Sequence, residues 1–113
     1  MAADESRDPS NVGAVQSTAP CDFSWDMSIS RAEFERSLPE AVNNVAYRID
    51  GQRFTHQADD RFWQITLEPL PDRVIALLRL PRHRVGFRLE GFDDAARAAW
   101  IERFRRYFQR GGG

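Results

Sequence analysis

Three features of the 113-residue sequence predict an α+β domain: an antiparallel meander of four to five strands, with one face packed by a C-terminal helix and a short N-terminal helix. From Arg61 to Glu90 the chain offers runs of strand length, rich in β-branched, aromatic and leucine residues and bounded by proline turns. Before them, two alternating segments flank Asp50-Gly51, a dipeptide suited to a two-residue hairpin turn. After them, Ala96, Trp100, Phe104 and Phe108 recur every four residues, the stripe of an amphipathic helix.

Met1 to about Pro20 is rich in Ala, Ser, Asp, Pro, Gly and Asn and has no apolar period. Such a segment buries too little surface to offset its ordering entropy, so residues 1–22 are expected to form a disordered leader, with one domain over 23–110 and a flexible glycine tail at 111–113. Order is expected to begin where the rings of Phe23 and Trp25 anchor the chain entry. Ser30-Arg31-Ala32-Glu33 has the form of a capping box, and Ile29, Phe34 and Leu38 supply the staple and stripe of a short helix that Pro39 should stop or kink near Leu38.

In the hairpin, Asp50-Gly51 as the turn sets Tyr47 opposite Phe54 and Arg48 opposite Arg53, with Val45, Tyr47, Ile49 and Phe54 on one face. In the next strand Trp63, Ile65 and Leu67 point to the core and Phe62, Gln64 and Thr66 away from it. Glu68 to Asp72 reads as a stiff loop because each proline fixes φ. Val74 to Leu80 reads as a central strand or one with a covered outer face, reversed at Pro81-Arg82 so that Leu80 pairs with His83. That register places Val74, Ala76, Leu78, Val85, Phe87 and Leu89 inside, and Ile75, Leu77, Arg79, Arg84, Gly86 and Arg88 outside. Asp93 caps the last helix, from Ala95 to about Arg110, and the glycines end it.

All sixteen basic residues are arginine, and net charge is −1. The charge is uneven: residues 1–22 carry one arginine against four acids, 23–72 five against nine, and 73–113 ten against four. This asymmetry permits an anionic partner or an internal dipole. A single cysteine, Cys21, makes no internal disulfide and fits a reducing compartment or indifference to compartment. The acidic start is followed by no apolar run, and no window reaches membrane-spanning length, so a cytoplasmic protein without a membrane partner is expected.

Catalytic and cofactor signatures are absent from the sequence. His56 and His83 lack metal-ligand spacing, and there is no phosphate loop, dinucleotide fingerprint or nucleophile elbow, so a non-enzymatic chain without cofactor is expected. The candidate binding surface is the outer sheet face, where Arg48, Arg53, Arg79, Arg84 and Arg88 surround Phe62, Ile75 and Leu77. Apolar residues rimmed by arginine fit a small interaction domain that meets a protein partner or forms a homodimer, by that face or by the free sheet edge. Arginines beside an aromatic on a sheet also suit single-stranded nucleic acid. A small-molecule or enzymatic role would require His56 or His83 in a pocket beside a carboxylate. Alternatively, the N-terminal helix lies over the outer face and pairs Glu33, Glu35 and Glu40 with its arginines.

Overall fold

The computed structural model describes residues 19–112, with side chains placed through Phe108. The leader expected over 1–22 lies outside the described residues except at its end, where Cys21 and Asp22 already belong to a strand. The elements are β1 (Cys21–Met27), α1 (Arg31–Ala41), β2 (Arg48–Asp50), β3 (Arg53–Ala58), β4 (Arg61–Ile75), β5 (Leu78–Glu90) and α2 (Asp94–Gly112). They form one antiparallel sheet of order β1-β5-β4-β3-β2 and two helices.

Strands β2 to β5 are a meander, and β1 joins its far edge along the whole of Cys21–Met27, from Cys21 opposite Leu89 to Met27 opposite His83. The sequence reading saw Phe23 and Trp25 only as anchors; their alternation with Asp22, Ser24 and Asp26 is strand alternation. Phe23 stacks on Phe87 at 4.7 Å between ring centroids, and Trp25 lies 5.0 Å from Phe87.

Trp63, Ile65 and Leu67 on β4, Val85, Phe87 and Leu89 on β5, and Phe54 on β3 form the inner face, and all are buried. Both helices cover this face. On α2, Phe104 meets Phe87 edge-on at 4.8 Å and Trp100 meets Trp63 at 6.0 Å. On α1, Phe34 stacks on Phe108 of α2 at 5.0 Å and touches Phe54 at 5.4 Å. Phe104 has no exposed surface, so its truncation to alanine leaves a cavity costing about 3–5 kcal/mol.

The helix ends follow local chemistry. Ser30 Oγ accepts from the Glu33 amide at 3.1 Å, and the Glu33 carboxylate accepts from the Ser30 amide at 3.2 Å. Pro39 does not stop α1, which continues to Ala41 before Asn43 and Asn44 turn the chain at φ 60° and 58°. A proline in the last turn removes a single helical donor, and the buried Leu38 and Ala41 on either side hold the segment against the core. Asp93 caps α2, its Oδ1 accepting from the Ala96 amide at 2.8 Å. The glycines do not end α2 at Arg110; Gly111 and Gly112 belong to it.

Two registers differ from those the sequence suggested. The β2–β3 turn is Gly51-Gln52, not Asp50-Gly51, so Asp50 faces Arg53 and Arg48 faces Thr55. This removes two like charges from opposition and substitutes an acid–base pair, while glycine keeps the residue with φ of 63°. The faces are unchanged, because the shift is even.

The second difference is larger. Glu68–Asp72 is not a loop and Pro81-Arg82 is not a turn. Strand β4 runs on to Ile75, the chain reverses at Ala76-Leu77, and Leu80 faces Arg73 rather than His83. A bulge between Leu70 and Arg73 adds one residue to β4. Beyond Leu67 and His83, among the described residues, these strands pair only with each other, so they form a two-stranded arm. Proline is tolerated there for that reason: a strand with an open side can turn the proline nitrogen outward and lose no ladder bond. From Pro69 to Ala76 the arm extends about 25 Å at strand rise, and the molecule measures 62 × 31 × 24 Å.

Gly91 links β5 to α2 at φ 79°, and a Cβ there would lie 1.8 Å from the Asp60 carbonyl oxygen. Gly51 shares the positive φ but has open space around it. Gly51→Ala should therefore cost about 1–2 kcal/mol for the left-handed backbone alone. Gly91→Ala should cost clearly more, since backbone must also move, and urea unfolding of the two variants measures the difference.

Candidate functional site

Alternation from the buried inner positions defines the outer face. It carries Arg48 and Asp50 on β2, Arg53 and Thr55 on β3, and Phe62, Gln64, Thr66 and Glu68 on β4. Arg84, Gly86, Arg88 and Glu90 follow on β5, and Asp22, Ser24 and Asp26 on β1. Arg84 and Arg88 thus point away from α2, and α1 lies on the inner side beside α2 rather than over this face. Among the described residues no helix covers it.

Arg84 and Arg88 find their partners within the sheet instead of on α1. Arg84 Nε lies 3.1 Å from Asp26 and its Nη1 3.8 Å from Glu68. Arg88 Nη1 lies 2.9 Å from Asp22 and its Nε 2.6 Å from Glu90. The hydrogen bonds to Glu90, and then to Asp22, raise the Arg88 pKa further above its already high ordinary value. Arg48, Arg53, Arg84 and Arg88 stand against Asp22, Asp26, Asp50, Glu68 and Glu90, a net charge of −1 on the face. Gly86, between Ser24 and Thr66, leaves a shallow depression of about 400 Å³ that Gln64 and Arg88 also line.

Of the eight surface residues named from the sequence, Arg48, Arg53, Phe62, Arg84 and Arg88 share this face. Ile75, Leu77 and Arg79 lie on the arm, at the far end of the β4–β5 ladder from Phe62. Leu77 occupies the arm's tip with its side chain fully exposed, at 101% of its reference area. Ile75 and Leu78 flank it, and Val74 pairs with Arg79. These side chains are 48%, 61% and, for Val74, 58% exposed. Four of the five large apolar residues exposed among the described residues are therefore within five positions of one another, the fifth being Ile49.

The arm has two different faces. Continuing the alternation of β5, Leu78, Leu80 and Arg82 fall on the outer side, paired with Ile75, Arg73 and Leu70. Val74 and Arg79 fall on the other. Arg79 reaches Asp72 at 3.9 Å, and Arg82 reaches Asp26 at 3.7 Å. Across residues 69–82, three arginines outweigh one aspartate, for a charge of +2. Sequence reasoning missed Val74 and Leu78 because a strand apolar on both parities reads as central. Here both parities are solvated.

At the opposite end of β4, the β3–β4 turn, the α1–β2 connection and the start of α2 enclose a cleft of about 540 Å³. Its apolar wall includes Val45, Trp63, Phe92 and Trp100, and its rim carries Asp59, Asp60 and Asp93 against Arg61. The Arg61 guanidinium lies over the Phe92 ring at 5.2 Å. His56 lines the same cleft, its ring stacked on Trp63 at 5.6 Å and its Nδ1 2.6 Å from the Ala46 carbonyl oxygen. That oxygen only accepts, so Nδ1 is the donor in this contact. His83 makes the same kind of contact with the Ile29 carbonyl at 2.8 Å, tying α1's approach to β5. Among the described residues no group of three metal-ligating side chains converges. No helix there is long and apolar enough to cross a membrane.

The chain matches no family model, no curated protein and no solved structure.

Tyr47, beside the cleft, has its pKa raised above 10.0 by burial and, secondarily, by the charge of Glu35. The folded chain thus keeps a proton that the unfolded chain releases near pH 10, and stability falls as pH rises beyond that value. A phenolate absorbance titration in a Tyr107→Phe background should place Tyr47 above the ordinary range, and Glu35→Gln should bring it partly back.

Proposed function

We propose that this chain is a non-enzymatic protein-interaction domain whose contact element is the β4–β5 arm. One observation carries the reading: a closed core buries Phe34, Phe54, Phe104, Ile65 and Leu67 almost completely, while Val74, Ile75, Leu77 and Leu78 stand together in water at the end of a projection. A contiguous exposed apolar group with polar surroundings is the mark of a contact surface. Arg73, Arg79 and Arg82 supply the polar rim. The arm also has two open strand edges, so backbone groups are available to a partner strand as well.

Single-stranded nucleic acid is less well supported than the sequence suggested. Phosphate tracking requires unbalanced positive charge, whereas Arg84 and Arg88 are held by carboxylates and the face around Phe62 sums to −1. Fluorescence anisotropy with an oligothymidylate at low salt should show no binding that depends on Arg84 or Arg88; a steep salt-dependent affinity lost in Arg88→Ala would restore that reading.

The arm is tested by a photocrosslinking amino acid at position 77, compared with one at position 64 on the outer face, in cells producing the full chain. Discrete crosslinked species should form from 77, not from 64, and should disappear when Leu78→Asp is added. Equal crosslinking from both positions, or none from 77, would remove the arm as the contact element.

A further inference from the structure

Resting on the arm as contact element, we infer that the partner it fits is a second copy of this chain, received in the cleft beside Asp60. The two ends of β4 are complementary. At Ile75 the arm offers branched aliphatic side chains with a charge of +2; at Arg61 the cleft offers the partly exposed Val45 and Trp100 with Asp59, Asp60 and Asp93 against one arginine, a charge of −2 from these four charged side chains. The volume of about 540 Å³ lies within the range of sites that enclose a few apolar side chains. Leu77 and Leu78 fill its interior, while Arg73 and Arg79 meet the carboxylates at its rim.

The cleft's lip is fixed before docking. Gly91 is packed so closely on the Asp60 carbonyl that no Cβ fits, and Asp93 is committed as the cap of α2. The arm is likewise a hydrogen-bonded ladder, so little ordering entropy opposes their meeting.

Donor and receiver lie at opposite ends of a 62 Å molecule, so one copy cannot satisfy itself and the contact is head-to-tail. Such a contact uses different patches on the two partners and propagates unless its rotation closes a ring. The contact is small, so association is weak and shows itself as concentration rises. It also weakens with salt, since Asp59 and Asp60 are exposed and screened.

Sedimentation velocity of the full chain across a concentration series, at low and high salt, tests this with two variants. Leu77→Asp disables the arm at a fully exposed position, and Asp60→Arg reverses charge at the lip. The wild-type chain should grow beyond a dimer with concentration, and each variant alone should stay monomeric. An equimolar mixture of the two variants should form dimers and nothing larger, because one intact arm meets one intact cleft. A wild-type chain that remains monomeric, or a mixture that forms no dimer, overturns the inference. If Leu77→Asp abolishes association and Asp60→Arg leaves it intact, the arm stands as contact element while the cleft as receiver is lost. Leu77-dependent pelleting with phosphatidylcholine–phosphatidylserine vesicles by a chain that stays monomeric would overturn it in favour of a lipid surface.

Discussion

The pairing of β4 with β5 is the constraint on which the other elements depend. From Phe62 opposite Glu90 to Leu67 opposite Val85, this ladder presents Trp63, Ile65, Phe87 and Leu89 to the helices and lends its two sides to β3 and β1. The same ladder continues past both neighbours. Its first half is buried in the domain and its second half is solvated on every side, although hydrogen bonding runs through both. Burial, not backbone pairing, separates scaffold from projection in this fold.

The outer face shows how a sheet can leave one side in water without a second layer. Alternating positions on β1 and β5 are acidic and basic in register, so Asp22 meets Arg88 and Asp26 meets Arg84 across the same ladder that stacks Phe23 on Phe87 beneath. Individually, exposed pairs of this kind contribute little. Their more important effect is on register: a slip of one residue would bring Phe23 and Trp25 into water and place the aspartates against the core.

Much of the domain was legible because local and tertiary signals agree. The inward parity of Trp63, Ile65, Leu67, Val85, Phe87 and Leu89, the four-residue spacing of Trp100, Phe104 and Phe108, and the caps at Ser30 and Asp93 all follow from periodicity and side-chain chemistry. The arm was not legible, since its signals point the wrong way. Pro69, Pro71 and Pro81 read as breaks only if a strand is assumed to have two neighbours, and Ala76 takes φ of 54° although alanine gives no turn signal. Val74 to Leu80 looked central because solvation of a hydrophobic strand cannot be read from its own residues. The cleft joins residues from three connections far apart in sequence, so no local pattern pointed to it.

The extra residue between Leu70 and Arg73 sets the arm's rotational phase relative to the domain. Removing one residue there would leave Arg73 and Ile75 facing Leu80 and Leu78 but take away the local bend and extra twist of the bulge, while Trp63 to Leu67 kept their places. Length changes at this point can therefore re-aim the projection without disturbing the core, which uncouples the fold's integrity from the direction in which it reaches.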